Sequence, residues 1–270
     1  MGAIEDWRKA LASWALPEEI LAKAPESPWS YPWEIFLRRA EAALSAPRLP
    51  SAERALEALP DGGSIIDVGS GPGAAALALA HRAGRLIAVD QSEKMLSVFD
   101  ELAARVGVER ATIVGTWPDV AGEVEEADVV VCHHVFYNAA ELEPFVRALT
   151  DHANRRVVVE MTAEHPRAED NHLWMQLHGL ERPTRPTADD AERALREMGI
   201  EPRREDWFSP RVPAPREEII RTLLTELALT PDRESDLVDA LGDRLIERNG
   251  EWLLGPAERH LVTLWWDVSR

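Results

Sequence analysis

The stretch IIDVGSGPGAAALALA, residues 65–80, decides the fold. Its first four residues are mostly apolar and typical of a buried strand, the glycines predict a tight turn, and the alanine- and leucine-rich remainder predicts a helix. A glycine-rich turn that joins a strand directly to a helix lets the backbone come very close to a ligand. The stretch therefore predicts an α/β fold with a ligand-binding turn after its first strand.

The same alternation of short β-branched runs and helical stretches continues over residues 63–162, which is typical of βαβ units and a parallel sheet. Helices are expected to begin near Pro72, Ser92 and Asn138, with Ser92 as an N-cap and Asn138 with Glu141 as a capping box. Together with two later strands, the pattern predicts a doubly wound, seven-stranded, mostly parallel sheet. The predicted strands are 64–68, 85–89, 111–114, 128–132, 156–160, 203–208 and 260–268.

Helices interrupted by proline are predicted on both sides of these strands. We interpret residues 1–60 as a helical lid and residues 61–270 as the main domain, with helical additions at about 163–200 and 214–256. Thr187 and Asp190 resemble a helix cap. The predicted additional helices are 4–16, 18–23, 33–44, 171–178, 188–198 and two within 216–247.

The composition excludes several kinds of partner. Asp and Glu outnumber Lys and Arg by 48 to 30, and the formal charge of −18 repels phosphate backbones and anionic lipids. The single cysteine, Cys132, cannot form an intramolecular disulfide, and we find neither a signal-like start nor an uncharged apolar run of about 20 residues. We therefore expect a cytoplasmic protein without nucleic-acid or membrane partners.

The glycine pattern by itself fits two cofactors. Gly69, Gly71 and Ala74 satisfy the dinucleotide fingerprint, and Asp90 follows the second strand, where an acid can hold ribose hydroxyls. NAD and S-adenosylmethionine both match this pattern. Asp67, however, stands two residues before the first glycine, where a carboxylate beside a pyrophosphate would cost about 1 to 4 kcal/mol. The charge therefore favours S-adenosylmethionine, which carries an ammonium and a sulfonium group.

The segment DVGSGPG, followed by a strand that ends in Asp90, resembles the first two motifs of class I S-adenosylmethionine-dependent methyltransferases of the bacterial, small-molecule type. The resemblance covers about residues 60–162 and implies a Rossmann-like fold with S-adenosylmethionine as methyl donor and S-adenosylhomocysteine as product. Gly115–Trp117 stands where the family often has an acid that contacts the adenine. The cofactor-binding residues that the resemblance implies are Asp67, Gly69, Ser70, Gly71, Gly73, Asp90, Gln91, Met95, Thr116, Trp117 and His133.

The segment HHVFYN, residues 133–138, follows the fourth predicted strand and carries the candidate catalytic residues. Methyl transfer is an in-line displacement, so a base is needed only where the acceptor has a proton to lose. His134 and Tyr137 are the candidate bases, although His134 could instead line the pocket or bond only to backbone. The segment lacks the Asn/Asp-Pro-Pro-aromatic motif of methyltransferases that act on nucleobases or glutamine amides. An exocyclic amide or base nitrogen is therefore disfavoured as acceptor atom, and we expect oxygen, less often nitrogen or carbon.

Aromatic and histidine side chains in the predicted lid and after the fifth strand are the candidates for the acceptor site, and they suit an aromatic or otherwise apolar small molecule. The alternatives are ordinary packing and contact between two copies of the chain, so both a monomer and a homodimer remain open. The histidines after residue 162 lack zinc-helix spacing, and we expect no metal. The candidate substrate-binding residues are Trp29, Tyr31, Trp33, His134, His165, Trp174 and His178.

Two other functions remain open at the level of the sequence. A nicotinamide-dependent oxidoreductase is disfavoured by Asp67 and by the absence of a Tyr-x-x-x-Lys pair. A methyltransferase-like module that binds S-adenosylmethionine without catalysis would keep the same cofactor residues. We expect an enzyme that methylates a small metabolite, of the kind found in specialised metabolism.

Overall fold

A computed structural model describes residues 2–29, 33–44, 49–248 and 250–268. Seven strands form one sheet in the order β3-β2-β1-β4-β5-β9-β6, and two form a separate hairpin, β7-β8. The strands are β1 Ser64–Val68, β2 Arg85–Asp90, β3 Glu109–Val114, β4 Ala127–His133, β5 Ala153–Thr162, β6 Arg203–Pro210, β7 Leu245–Arg248, β8 Glu251–Leu254 and β9 Glu258–Asp267.

Strands β1 to β5 pair in parallel, whereas β9 is antiparallel to both β5 and β6. This arrangement confirms the predicted Rossmann-like, mostly parallel, seven-stranded sheet. The helices are α1 Ala3–Ala12, α2 Glu18–Leu21, α3 Trp33–Ala43, α4 Pro50–Ala58, α5 Ala74–Leu77, α6 Glu93–Val106, α7 Leu142–His152, α8 Asn171–His178, α9 Ala188–Glu197, α10 Arg216–Glu226 and α11 Glu234–Leu241.

The predicted helix starts are confirmed at two places and wrong at a third. The Ser92 side chain accepts a hydrogen bond from the Met95 N–H, and Thr187 forms a capping box with Asp190. The expected capping box at Asn138 is absent, because Phe136–Asn138 forms a short 3₁₀ turn and α7 begins only at Leu142, without a side-chain cap. The apolar face of α7, which packs into the core, sets where that helix begins.

Helices cover both faces of the sheet. One face packs against α1, α7 and α9, and the other against α4, α5 and α6, so both faces of the central strands are buried. A third apolar cluster joins α8, α10 and α11. Within the described part of the chain, no helix is long and apolar enough to cross a membrane.

The N-terminal helices take different positions around this sheet. Helix α1 packs on α7 and α9 as part of the main core, and α4 packs on β4 and β5. Helix α3 contacts α5 and α6, and its Arg38 forms an ion pair with Glu218 of α10. Helix α3 therefore lies beside the helices that follow the glycine turn and β2, and the division at residue 60 remains a prediction.

Candidate functional site

The ionisable side chains of the candidate site lie at one edge of the sheet. Strands β1, β2, β4 and β5 are parallel, so their C-terminal ends lie together, and we call this the carboxyl edge. Asp90, His133 and Glu160 stand at or near the ends of β2, β4 and β5. In open parallel sheets ligands bind in the crevice beyond this edge, at the place where the strand order reverses.

The glycine turn after β1 is shaped by close packing on two sides and open space on a third. Gly69, Gly71 and Gly73 all have positive φ, at 68°, 52° and 88°. A Cβ at Gly69 would come within 2.4 Å of Val135 Cγ2, and one at Gly73 within 2.3 Å of Phe99 Cδ2. A Cβ at Gly71 would meet nothing within 4 Å. The space beside Gly71 is therefore open to a ligand that approaches the backbone.

The Asp90 carboxylate joins the glycine turn to the start of α6. One oxygen accepts a hydrogen bond from the Gly71 N–H at 2.8 Å, and the other accepts one from the Ser92 N–H at 2.8 Å. Each carboxylate oxygen retains a free lone pair, because a carboxylate can accept about four hydrogen bonds. Asp90 can therefore hold the turn and still accept hydrogen bonds from the hydroxyls of a ribose.

Asp67 lies beneath the glycine turn rather than beside the open space. Its carboxyl group is 1% exposed and accepts a hydrogen bond from the Ala76 N–H at 3.1 Å. Burial raises the pKa of Asp67 to about 7, although the hydrogen bond from Ala76 opposes the shift. The sequence argument that a fully charged Asp67 repels a pyrophosphate is therefore weakened, and Asp67 holds α5 against the turn instead.

His134 and Glu160 form a hydrogen-bonded pair at the carboxyl edge. The His134 Nε2 lies 3.0 Å from Glu160 Oε1, and the His134 N–H donates to the Glu160 carbonyl at 2.7 Å. His134 has a φ of 61°, a left-handed conformation that costs energy for a residue with a Cβ. These two bonds to one residue hold His134 in that conformation, with its side chain about one third exposed.

Glu160 is a buried carboxylate that the sequence analysis did not identify. Its side chain accepts hydrogen bonds from the Ser51 hydroxyl of α4 and from His134. Burial raises the pKa of Glu160, but nearby His133 and the bonds from His134 and Ser51 outweigh it and lower the pKa to about 2. An acid at the end of a buried strand, as in Asp90, is the signal that could have revealed Glu160.

His133 lies next to this pair and is half-buried. Burial lowers the pKa of His133, with the charge of Glu160 opposing the shift, so the ring is neutral. Its Nδ1 lies 3.9 Å from Glu160 Oε2, beyond hydrogen-bonding distance, and its Nε2 has no partner among the described residues. A buried ring nitrogen without a partner is unusual and fits a position against a ligand.

Tyr137 packs next to the carboxyl edge, and its hydroxyl is engaged by backbone. Its hydroxyl donates a hydrogen bond to the Thr162 carbonyl at 2.8 Å, and the residue is 8% exposed. Burial raises the pKa of Tyr137 far above its ordinary value. The Tyr137 ring stacks on Trp7 of α1, which gives this residue a packing role, and its assignment as a catalytic residue stays a prediction.

The residues expected around the adenine divide into two groups. Gln91 and Thr116 are exposed, and Met95 is half-buried near the start of α6. The Ser70 hydroxyl turns back onto the Gly71 carbonyl. Trp117 is buried, and its indole N–H donates to the Phe145 carbonyl of α7 at 3.2 Å. Its ring therefore packs between the turn that follows β3 and helix α7.

Three expected acceptor-site residues pack inside the protein. His165 stacks on Trp14 with ring centres 3.8 Å apart, and burial, with Arg167 and Arg182 nearby, lowers its pKa to about 3. Trp174 is buried in the cluster of α8, α10 and α11, where it stacks on His178. The His178 Nε2 bonds to the Leu227 carbonyl at 2.7 Å. The structure thus places these residues, His165, Trp174 and His178, in packing positions.

Two aromatic residues of the expected lid contact cationic side chains that follow β5 and β2. Trp29 is 44% exposed and lies under the Arg167 guanidinium, whose carbon is 4.4 Å from the ring centre. The centre of the Trp33 ring lies 4.1 Å from the Nζ of Lys94, which is in the first turn of α6. Tyr31 lies outside the described residues. No group of His, Cys, Asp and Glu within the described ranges could hold a metal ion.

Comparison with known proteins identifies the same part of the chain. Residues 66–158, about a third of its length, match the family model described as a methyltransferase domain. No curated protein matches the sequence. The family match confirms the resemblance that the DVGSGPG motif indicated and assigns these residues to a methyltransferase domain.

Solved structures share the fold at low sequence identity. The cyclopropane-fatty-acyl-phospholipid synthase-like protein of Lactobacillus casei is 18% identical, with a TM-score of 0.56 over 96% of this chain and 100% of that one. The YcgJ protein of Bacillus subtilis is 17% identical, with a TM-score of 0.55 over 82% and 98%. Coclaurine N-methyltransferase, crystallised with N-methylheliamine and S-adenosylhomocysteine, is 14% identical, with a TM-score of 0.50 over 97% and 85%. At these identities the likeness shows the fold.

Proposed function

We propose that this chain, which carries a class I S-adenosylmethionine-dependent methyltransferase domain, transfers a methyl group to a proton-bearing atom of a small-molecule acceptor. Oxygen is the favoured acceptor atom, and His134 is the base. The observation that carries the proposal is the His134–Glu160 pair, which lies at the carboxyl edge next to the glycine turn. The single cysteine, Cys132, is buried and unpaired, which suits a cytoplasmic enzyme.

The residues at the carboxyl edge fit the cofactor of this family. The open space beside Gly71 leaves room for the methionine part, and Asp90 has lone pairs free for ribose hydroxyls. His133, with its unpartnered Nε2, faces the same end of the sheet from β4. When bound, S-adenosylmethionine supplies an activated methyl group on a sulfonium, so the protein mainly has to orient the acceptor and exclude water.

The tautomer of His134 follows from its partner. An ionised carboxylate can only accept hydrogen bonds, so the His134 Nε2 carries the proton that it donates to Glu160. The lone pair is then on Nδ1, which bonds to no described residue and can take a proton from the acceptor. Glu160 fixes the ring orientation and stabilises the imidazolium that results, as the acid does in a Ser-His-Asp triad.

Binding and transfer experiments test the proposal. Calorimetry should show that the purified protein binds S-adenosylhomocysteine and S-adenosylmethionine and ignores NAD. Labelled S-adenosylmethionine incubated with a small-molecule extract should then yield labelled products that depend on the protein. Binding of NAD in place of the sulfonium compound would overturn the proposal. Cofactor binding without any transfer would indicate a module that binds S-adenosylmethionine without catalysis.

Replacing Asp90 by alanine should weaken S-adenosylhomocysteine binding by about 1 to 3 kcal/mol, because charged hydrogen bonds to the ribose and to the Gly71 N–H are lost. Calorimetric titration measures the change. Asp119→Ala, which removes an exposed acid after β3, is the matched control and should bind like the parent protein. Unchanged affinity in the Asp90 variant would mean that the ribose binds elsewhere.

A further inference from the structure

Arg259 stands at the carboxyl edge on the same face of the sheet as Glu160. Strand β9 is antiparallel to β5, so β9 begins at the edge where β5 ends. Thr263 pairs with Glu160, and Arg259 precedes Thr263 by four residues, about 13 Å along the strand. Side chains two and four residues apart on a strand share a face, so Arg259 and Glu160 both lie on the α4 side of the sheet.

The neighbouring charged groups are paired with one another. Glu169 forms ion pairs with Arg211 and with Arg244, the latter at 3.4 Å. Arg244 also lies 3.6 Å from Asp170. Gly255 lies against this cluster, because a Cβ there would come within 2.4 Å of Glu169 Oε1. These ion pairs join acids that follow β5 to Arg211, just after β6, and to Arg244, just before β7.

Arg259 differs from these neighbours because its guanidinium has no hydrogen bond or ion pair with any residue in the described ranges. The residue is half-buried. Its charge is attracted by Glu160 and Glu169 and repelled by Arg211, whose own Nε is buried and has no partner in the described part of the chain. Both carboxylates are already engaged, Glu160 by Ser51 and His134 and Glu169 by the arginines.

A guanidinium cannot lose its charge at any ordinary pH, so a desolvated arginine needs an anion or water. Glu226, at the end of α10, is a buried charged group of the other kind. Burial raises the pKa of Glu226 to about 7, so that carboxyl group can become neutral and needs no partner. Arg259 has no such route, and an anion beside it would also relieve its repulsion from Arg211.

We propose that Arg259, with Arg211 beside it, binds an anionic group of the acceptor, so that the substrate is a small molecule bearing a carboxylate or phosphate. The inference rests on the proposed function and adds the substrate class to it. Planar guanidinium groups bind such oxyanions through two parallel N–H bonds. The anion holds one end of the acceptor at the start of β9, and the atom to be methylated extends towards His134.

The anion site can be tested without knowing the acceptor. Benzoate, its neutral isostere benzamide and inorganic phosphate are titrated into the protein with and without S-adenosylhomocysteine, and the melting temperature is recorded. Parent protein should be stabilised by benzoate or phosphate and not by benzamide. Arg259→Gln should need about tenfold more of the anion for the same shift, because a charged hydrogen-bond pair is lost. Arg259→Lys keeps the charge but loses the planar pair of N–H donors, so the anion concentration that it needs should lie between those of the parent and Arg259→Gln proteins.

Two comparisons make the result decisive. Arg248→Gln removes an exposed arginine of β7 and should respond like the parent protein. Because Arg259 bonds to no described residue, its variant should fold with nearly unchanged stability in the absence of anions. Equal responses of the parent and Arg259→Gln proteins, or equal effects of benzoate and benzamide, would overturn the anion site.

The two proposals can fail separately. An Arg259-dependent response to anions in a protein that does not bind S-adenosylhomocysteine would leave the anion site standing and remove the methyltransferase proposal. Methyl transfer from labelled donor, combined with an anion response that ignores Arg259, would do the reverse. A response to phosphate alone supports the site and assigns a phosphorylated acceptor; a response to benzoate alone assigns a carboxylate.

Discussion

Replacing His134 by asparagine should lower methyl transfer by about 10²- to 10⁴-fold, which is the usual effect of removing a general base. Binding of S-adenosylhomocysteine should remain nearly unchanged, because no cofactor role is assigned to the His134 ring. Asparagine is the informative replacement, since His134 has a φ of 61° and asparagine tolerates the left-handed conformation better than alanine does. The local backbone is then disturbed as little as a substitution allows.

The measurement is the initial rate with labelled donor and a small-molecule extract, and calorimetry gives the binding constant for S-adenosylhomocysteine. His81→Asn is the matched control, because His81 is exposed on the turn before β2, at the opposite edge of the sheet. Added imidazole should restore part of the lost rate if His134 acts as a base. A parallel loss of rate and of cofactor affinity would make His134 a cofactor-binding residue instead.

Most of the sheet could be predicted from the sequence because buried strands leave a strong local signal. The runs SIIDV, RLIAV and DVVVC are rich in β-branched residues and carry one charged residue each, and the predicted bounds of each run agree with those of a strand in the structure to within two residues. Two elements were missed. Helix α4, which begins at Pro50, has only nine residues, and the strands of the β7-β8 hairpin have four residues each, too few for a clear periodic pattern, although the dipeptide Asn249-Gly250 is a strong hairpin signal.

The candidate site could be predicted only in part, because contacts between distant segments leave no local pattern. The DVGSGPG turn and Asp90 follow from residue spacing, and both lie at the carboxyl edge. Glu160, Ser51 and Arg259 come together only when β5, α4 and β9, which are about 100 residues or more apart in the sequence, are assembled. His165 and Trp174 show a second limit, since an aromatic or histidine side chain after the fifth strand suits a pocket wall and a packed core equally well, and the structure packs both rings against neighbouring residues.

The N-terminal helix α1 bears directly on the geometry of the site. Trp7 is fully buried, and its indole N–H donates to the Ala139 carbonyl at 2.9 Å while its ring stacks on Tyr137. The Tyr137 hydroxyl in turn bonds to the Thr162 carbonyl at the end of β5. These contacts fix the segment that follows His134. Residues that a sequence argument assigns to a lid thus include a helix that packs against the segment after His134, on the face of the sheet opposite to α4.

Replacing Trp7 by alanine should therefore lower the free energy of unfolding by about 3 to 5 kcal/mol, the usual cost of emptying a buried tryptophan site. Urea denaturation measures the change. Trp29→Ala is the matched control, because Trp29 is 44% exposed and its loss should cost less than about 1 kcal/mol. Methyl transfer by folded Trp7→Ala protein should also fall, since the loop after His134 loses its support. A stability loss no larger than that of the control would mean that α1 is a detachable lid, and a protein lacking residues 1–12 would then fold.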